Sequence, residues 1–266
     1  MSCPACFSGA LHEGSPTGVD VDLDGIAVYY AAPPTPSTST KAIVILSDVF
    51  GHTFVNTRLL ADAYAMTGFH VFLPDYFGGT AVPPSSLNVL DEPPSKSTLQ
   101  WIANGFRMCG AVVGSGIISF IASHGDAVTA PRVAAALAAV RARATALGVA
   151  RIGAIGFCFG GPYTLRAAAA GSVDAYAVAH PSNLRVPDDA LAVAARGSKG
   201  LFCCAEHDGV FPPSAIASCK KALGDSARFI DYAGQTHGFA VRGGAHSVAA
   251  RAQCVKDVTE FFAQAL

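Results

Sequence analysis

Residues 151–165 run from an apolar segment, Ile152-Gly153-Ala154-Ile155, through Gly156-Phe157-Cys158-Phe159-Gly160 and into Gly161-Pro162-Tyr163-Thr164-Leu165. This reads as a buried strand, a tight turn and a helix start, with Cys158 at the turn. Gly156 and Gly160 make it G-x-C-x-G, the sulfur form of the elbow in which a nucleophile projects from a strained strand-to-helix turn. A Cβ at either glycine would meet the neighbouring strand or helix while Cys158 takes an unfavourable backbone conformation. Two plainer readings share the pattern: a buried structural cysteine and a phosphate-binding turn. The spacing of Gly153, Gly156, Gly160 and Gly161 matches neither G-x-G-x-x-G nor G-x-x-x-x-G-K, and no Lys follows.

The rest of the chain is consistent with one α/β domain over residues 1–266. Val19 to Tyr30 alternates apolar and polar residues around Asp24-Gly25, a hairpin signal. Short apolar runs at 42–46, 70–73, 151–156, 175–179, 201–205 and 228–232 read as buried strands. Helices are expected at 56–66, from Pro131 with Thr129 as cap, from the elbow to about 170, and at 187–195, 213–223 and 246–264. Strands alternating with helices predict a mostly parallel central sheet with an antiparallel N-terminal hairpin and helices on both faces. Residues 80–125, with Pro83-Pro84, Pro93-Pro94 and several Ser, are expected to form a surface excursion that walls or covers a pocket.

Composition excludes several functional classes. A net charge of −1 without any Lys/Arg run argues against nucleic acid and against an anionic membrane surface. The longest uncharged apolar segment, Cys109 to Ser123, is interrupted by glycines and too short to span a bilayer. No basic start followed by an apolar stretch marks a secretory signal, and eight Cys then fit reduced thiols, so a cytoplasmic location is expected. Cys3, Cys6 and His12 form C-x-x-C-x5-H, three potential ligands without a second C-x-x-C or a surrounding βαβ unit. Residues 1–18 are therefore read as an arm lying on the domain, with no metal and no cofactor.

A thiol nucleophile needs a base, and the base an orienting acid. In α/β-hydrolases the order along the chain is nucleophile, acid, His, each following a different strand. Asp208 falls just after the 201–205 strand and His237 just after the 228–232 strand. Glu206 is an alternative acid, nearer the strand than Asp208; His180, His207 and His246 are alternative bases, of which His180 precedes the acid. The order favours Cys158, Asp208 and His237. A helix N-terminus after Cys158 favours thiolate, and the backbone N–H groups of Val49 and Phe159 are the expected oxyanion donors.

In G-F-C-F-G-G, the Asp208 loop ending in Pro212, T-H-G-F and P-D-Y-F-G, the sequence resembles the dienelactone hydrolase family over roughly residues 12–264. The amino-terminal C-P-x-C…H-E-G-x-P-x-G is similar to its fungal and eukaryotic subset. The resemblance implies an α/β-hydrolase fold and the nucleophile, acid and base roles for Cys158, Asp208 and His237. The family commonly places a Glu that contacts the resting thiol where this chain has Asp48, one methylene shorter, and it uses arginines to hold a substrate carboxylate, for which Arg242 is the matching position. Asp48, Arg242, Tyr76 and Trp101 are thus the residues expected to modulate the thiol or contact substrate.

The chemistry expected is hydrolysis of an activated small ester, enol lactone or thioester through an acyl-thioester. A non-hydrolytic isomerase, lyase or cyclase on the same scaffold is the second reading, and a binding protein with an inert site the third.

Overall fold

The computed structural model describes residues 9–35, 38–87 and 117–266. Trp101, Cys3 and Cys6, most of the 80–125 excursion and the start of the N-terminal arm lie outside the described residues.

The hairpin forms where alternation placed it. Strand β1 (Val19–Leu23) pairs antiparallel with β2 (Ile26–Ala31), Leu23 opposite Ile26. Asp24 and Gly25 both take positive φ, 55° and 80°, as a two-residue turn matched to strand twist requires. Next come β3 (Lys41–Leu46), β4 (His70–Pro74), β5 (Arg151–Phe157) and β6 (Ala175–Ala179). The last two strands are β7 (Lys199–His207) and β8 (Ala227–Thr236). The described residues form one eight-stranded sheet in the order β1-β2-β4-β3-β5-β6-β7-β8, antiparallel at β1/β2 and β2/β4 and parallel elsewhere. Ala42–Leu46 is wholly buried, which explains why that strand reads as a continuous apolar run rather than an alternating one.

Helices cover both faces, as the sequence led us to expect of an α/β-hydrolase. The helices are α1 (Val55–Ala65), α2 (Ile117–Ser123), α3 (Asp126–Ala146) and α4 (Gly160–Ala169). They continue with α5 (Asp188–Arg196), α6 (Pro213–Leu223), α7 (Phe239–Arg242) and α8 (Val248–Ala265). Helix α1 packs with α7 and α8, whereas α3, α4, α5 and α6 contact one another in series. No described helix is long and apolar enough to cross a membrane.

One helix start is corrected. Helix α3 opens at Asp126 after Gly125, so Pro131 lies inside it and Thr129 is no cap. The Thr129 hydroxyl instead donates back to the carbonyl of His124 at 3.1 Å, and Thr129 is fully buried. Proline costs the helix one N–H bond, and packing of Val133, Leu137 and Val140 into the core outweighs it.

Because β3 continues to β4 on one side and the chain returns to β5 on the other, a crevice opens at the carboxyl ends of β3 and β5. Such a switch point is where open α/β sheets bind ligands. The loops after β3, β5, β7 and β8 converge there.

Candidate active site

Cys158 sits directly after β5 with φ 47°, a left-handed conformation that a non-glycine residue adopts at a cost on the order of 1–3 kcal/mol. Its neighbours hold it there. Its N–H donates to the Ala179 carbonyl at 3.3 Å, and its own carbonyl accepts from Gly161 at 3.1 Å and Ser182 at 2.9 Å. The flanking glycines are demanded by contact: a Cβ on Gly156 would strike Thr164 and the Gly160 backbone, and one on Gly160 would strike the carbonyls of Leu46 and Ser47. Helix α4 begins two residues after the sulfur-bearing residue, so its positive end lies beside the thiol.

His237 follows β8 and Asp208 follows β7. His237 Nδ1 lies 2.9 Å from Asp208 Oδ2 and 3.1 Å from Oδ1, with both side chains 1% exposed. Asp208 Oδ1 also accepts the N–H groups of Val210 (2.8 Å) and Phe211 (3.0 Å). Burial opposes its ionisation, yet His237 and these two donors keep its carboxyl below the usual range. With Nδ1 committed to Asp208, Nε2 is left for the sulfur, and the imidazole and the Cys158 thiol are hydrogen-bonded. Burial alone would lower the His237 pKa; the adjoining Cys158 sulfur and Asp208 overcome that and raise it to about 9. These three side chains are therefore brought together, with the His237 imidazole held between the Asp208 carboxylate and the Cys158 sulfur.

Asp48 and Arg242 meet each other. Arg242 Nε donates to Asp48 Oδ2 at 2.8 Å, and both side chains are fully buried. Asp48 Oδ1 accepts the Phe50 N–H at 3.1 Å. Complete burial raises the Asp48 carboxyl above its usual range against the pull of Arg242. The Tyr76 hydroxyl donates to the Ser47 carbonyl at 2.5 Å, bracing the loop that carries Asp48 and Val49, and burial holds the phenol well above its ordinary pKa.

A cavity of about 250 Å³ opens beside the elbow, bordered by Val49, Phe159 and Ser182. Phe120, Phe159 and Tyr163 form an aromatic wall, with Phe120 and Phe159 edge to face at 5.4 Å and Phe159 tilted to Tyr163 at 5.5 Å. Its charged rim is internally paired: Arg166 and Arg185 both reach Asp126, and Arg166 also binds Asp189. Val49 and Phe159, the expected oxyanion donors, thus both border the space next to Cys158.

The alternative acids and bases fall elsewhere. Glu206 accepts the Gly234 N–H at 2.7 Å in an exposed position, and His207 is exposed beside it. His246 lies on a single turn before α8. His180 is buried, its ring 5.1 Å from that of His237, and burial, with the nearby His237 and Arg242 charges, keeps it neutral.

Ser182 was missed in the sequence, together with Phe120, Tyr163 and the Asp126 cluster. The available signal was position: Pro181-Ser182-Asn183 follows β6 at the same sheet end as the other loops, but a lone Ser in a turn has a routine local use.

Comparison with known proteins shows the family. The family model described as "Dienelactone hydrolase family" matches residues 26–266. The chain is 34% identical over 240 residues to "Hydrolase pyvD" of Aspergillus violaceofuscus, covering 89% of this chain and 84% of that protein. It is 31% identical over 248 residues to "Hydrolase tropI" of Talaromyces stipitatus, covering 91% and 86%. Among solved structures, a putative dienelactone hydrolase from Klebsiella pneumoniae superposes with a TM-score of 0.65 at 17% identity, over 93% of this chain and 98% of that one.

Proposed function

The chain belongs to the dienelactone hydrolase family and is an ester or lactone hydrolase, and from that premise we propose that it works through a Cys158–His237–Asp208 triad and an acyl-thioester on Cys158. The observation that carries this reading is the His237 imidazole, hydrogen-bonded to the Cys158 thiol and anchored through Nδ1 to Asp208 at 2.9 Å.

The steps follow from that arrangement. The proton of Cys158 Sγ passes to Nε2 of His237, a transfer favoured by the helix end beside the sulfur and by the Asp208 carboxylate behind the ring. The thiolate adds to the acyl carbon, and the developing oxyanion takes the backbone N–H groups of Val49 and Phe159, a pair of donors each worth about 10²- to 10³-fold in rate. The C–O bond breaks, and His237 gives its proton to the leaving alcohol or enol oxygen. Water then loses a proton to His237 and adds to the thioester carbon, the C–S bond breaks towards sulfur, and the acid product leaves. Asp208 stays ionised throughout, holding the tautomer and stabilising the imidazolium.

The cavity points to substrate shape. An aromatic wall of Phe120, Phe159 and Tyr163 favours a flat conjugated ring over an alkyl chain. A sulfur nucleophile suits activated carbonyls, so aryl esters, enol lactones and thioesters are the substrates proposed. Steady-state hydrolysis of these three classes, in the parent protein and in Cys158→Ala and His237→Ala, tests the reading. Turnover lost in both variants supports it; turnover unaffected by either would refute it.

A further inference from the structure

After β6 the chain bends through His180-Pro181-Ser182-Asn183 with positive φ at two non-glycine residues, 39° at His180 and 54° at Asn183. Strain of this kind persists only where surrounding contacts over-determine it, and it clusters at functional sites. Here the contacts are the His180 N–H on the Cys203 carbonyl (3.0 Å) and the Ser182 N–H on the Cys158 carbonyl (2.9 Å). Their result is that Ser182 Oγ stands 3.7 Å from Cys158 Sγ, placed to accept the S–H of the protonated thiol and, because a hydroxyl rotates, to donate to the sulfur once that proton has left. Ser182 is 3% exposed and borders the cavity beside the elbow.

We propose that Ser182 is a catalytic residue whose hydroxyl donates to the Cys158 sulfur, holding the resting thiolate and receiving the sulfur again when the acyl-thioester breaks down. The proposal rests on Cys158 being the nucleophile. When the Sγ proton moves to His237, the S–H electron pair stays on sulfur, and Ser182, which keeps its own proton throughout, turns it towards that charge. Attack spends the pair on the new S–C bond, and a thioester sulfur is a far weaker acceptor, so the hydroxyl is released. In deacylation the S–C pair returns to sulfur and Ser182 donates to the departing thiolate. A hydrogen bond to a charged partner is about twice as strong as one to a neutral group, which gives the contact its leverage on the thiolate rather than on the thiol.

Among the described residues, the other ionisable groups around the sulfur are His237 from the loop after β8 and Tyr76 from the loop after β4, the phenol kept protonated by burial. Asp208, Asp48 and neutral His180 surround His237 in turn.

The test is a pH titration of the ultraviolet thiolate absorbance, taken as the difference between each protein and its Cys158→Ala counterpart, for the parent, Ser182→Ala and Ser182→Thr. Single-turnover deacylation of an aryl-ester-derived acyl-enzyme accompanies it. Ser182→Ala should raise the midpoint for thiolate formation by about one pH unit and slow deacylation about tenfold. Ser182→Thr, which keeps the hydroxyl, should stay close to the parent. An Ala variant unchanged in both readouts, or one altered only in KM, would overturn the proposal and leave Ser182 a structural or substrate contact. Failure of the underlying reading is seen separately, as a parent protein whose turnover survives Cys158→Ala before Ser182 is touched.

Discussion

Arg242 Nε lies 2.8 Å from Asp48 Oδ2, and neither side chain reaches solvent. The pair joins α7, four residues long and immediately after the His237 loop, to the loop that follows β3 and carries Val49. It thereby fixes the distance between the proposed base and a proposed oxyanion donor. Removing one partner of such a pair strands a buried charge, whereas replacing both with apolar groups removes the desolvation cost as well. Asp48→Asn and Arg242→Met should each destabilise the fold by about 3–5 kcal/mol, and the double variant Asp48→Leu/Arg242→Met should regain most of the loss. Chemical denaturation of the four proteins measures this.

The pH dependence follows from His237. Its folded pKa is raised to about 9 from an ordinary value of 6.5, so its contribution to stability is fully present below pH 6.5 and is lost as pH rises through 9. Activity shares the alkaline limit, because above about pH 9 the imidazole has no proton for the leaving oxygen. A kcat/KM profile should fall with an apparent pKa near 9. In Cys158→Ser the uncharged hydroxyl no longer supports the imidazolium, and NMR titration of His237 should find a pKa well below that of the parent.

Asp208 holds His237 through two oxygens within 3.1 Å of Nδ1, while its Oδ1 also accepts the N–H groups of Val210 and Phe211. Asp208→Asn keeps the shape and the donors' neighbours but reverses the tautomer preference. By analogy with other triads kcat should drop about 10⁴-fold. A loss of less than tenfold would remove Asp208 from the proposed machinery.

Close approach at the elbow makes a stability prediction independent of chemistry. A Cβ at Gly160 would press on the backbone carbonyls of Leu46 and Ser47, atoms of β3 and its exit that cannot rotate away. Gly160→Ala should cost about 1–3 kcal/mol and lower soluble yield. The same change at Gly209, where a Cβ meets nothing within 4 Å, should be nearly neutral by thermal melting.

Much of the fold was legible because its signals are local. The alternation around Asp24-Gly25, the apolar run at Ala42–Leu46 and the glycines about Cys158 each encode a backbone geometry that neighbours a few residues away decide. The positions of Asp208 and His237 were legible because chain order and strand ends constrain them jointly. The start of α3 was not, since Pro131 after Thr129 is a strong local signal for a helix's first turn, and burial of Val133, Leu137 and Val140 lets the helix run through it. The Asp48–Arg242 contact spans 194 residues and has no local signature. Ser182 was invisible for a similar reason: its relation to Cys158 arises from β6 lying beside β5 in the sheet.

The most direct measurement is the intact mass of the protein quenched within one turnover of an aryl ester or enol lactone, followed by peptide mapping. A mass increase equal to the acyl group, located on Cys158, accumulating further in a variant with slowed deacylation and absent in Cys158→Ala, is the result expected. Continued turnover by Cys158→Ala, or an acyl group mapped to another residue, would contradict a covalent role for Cys158.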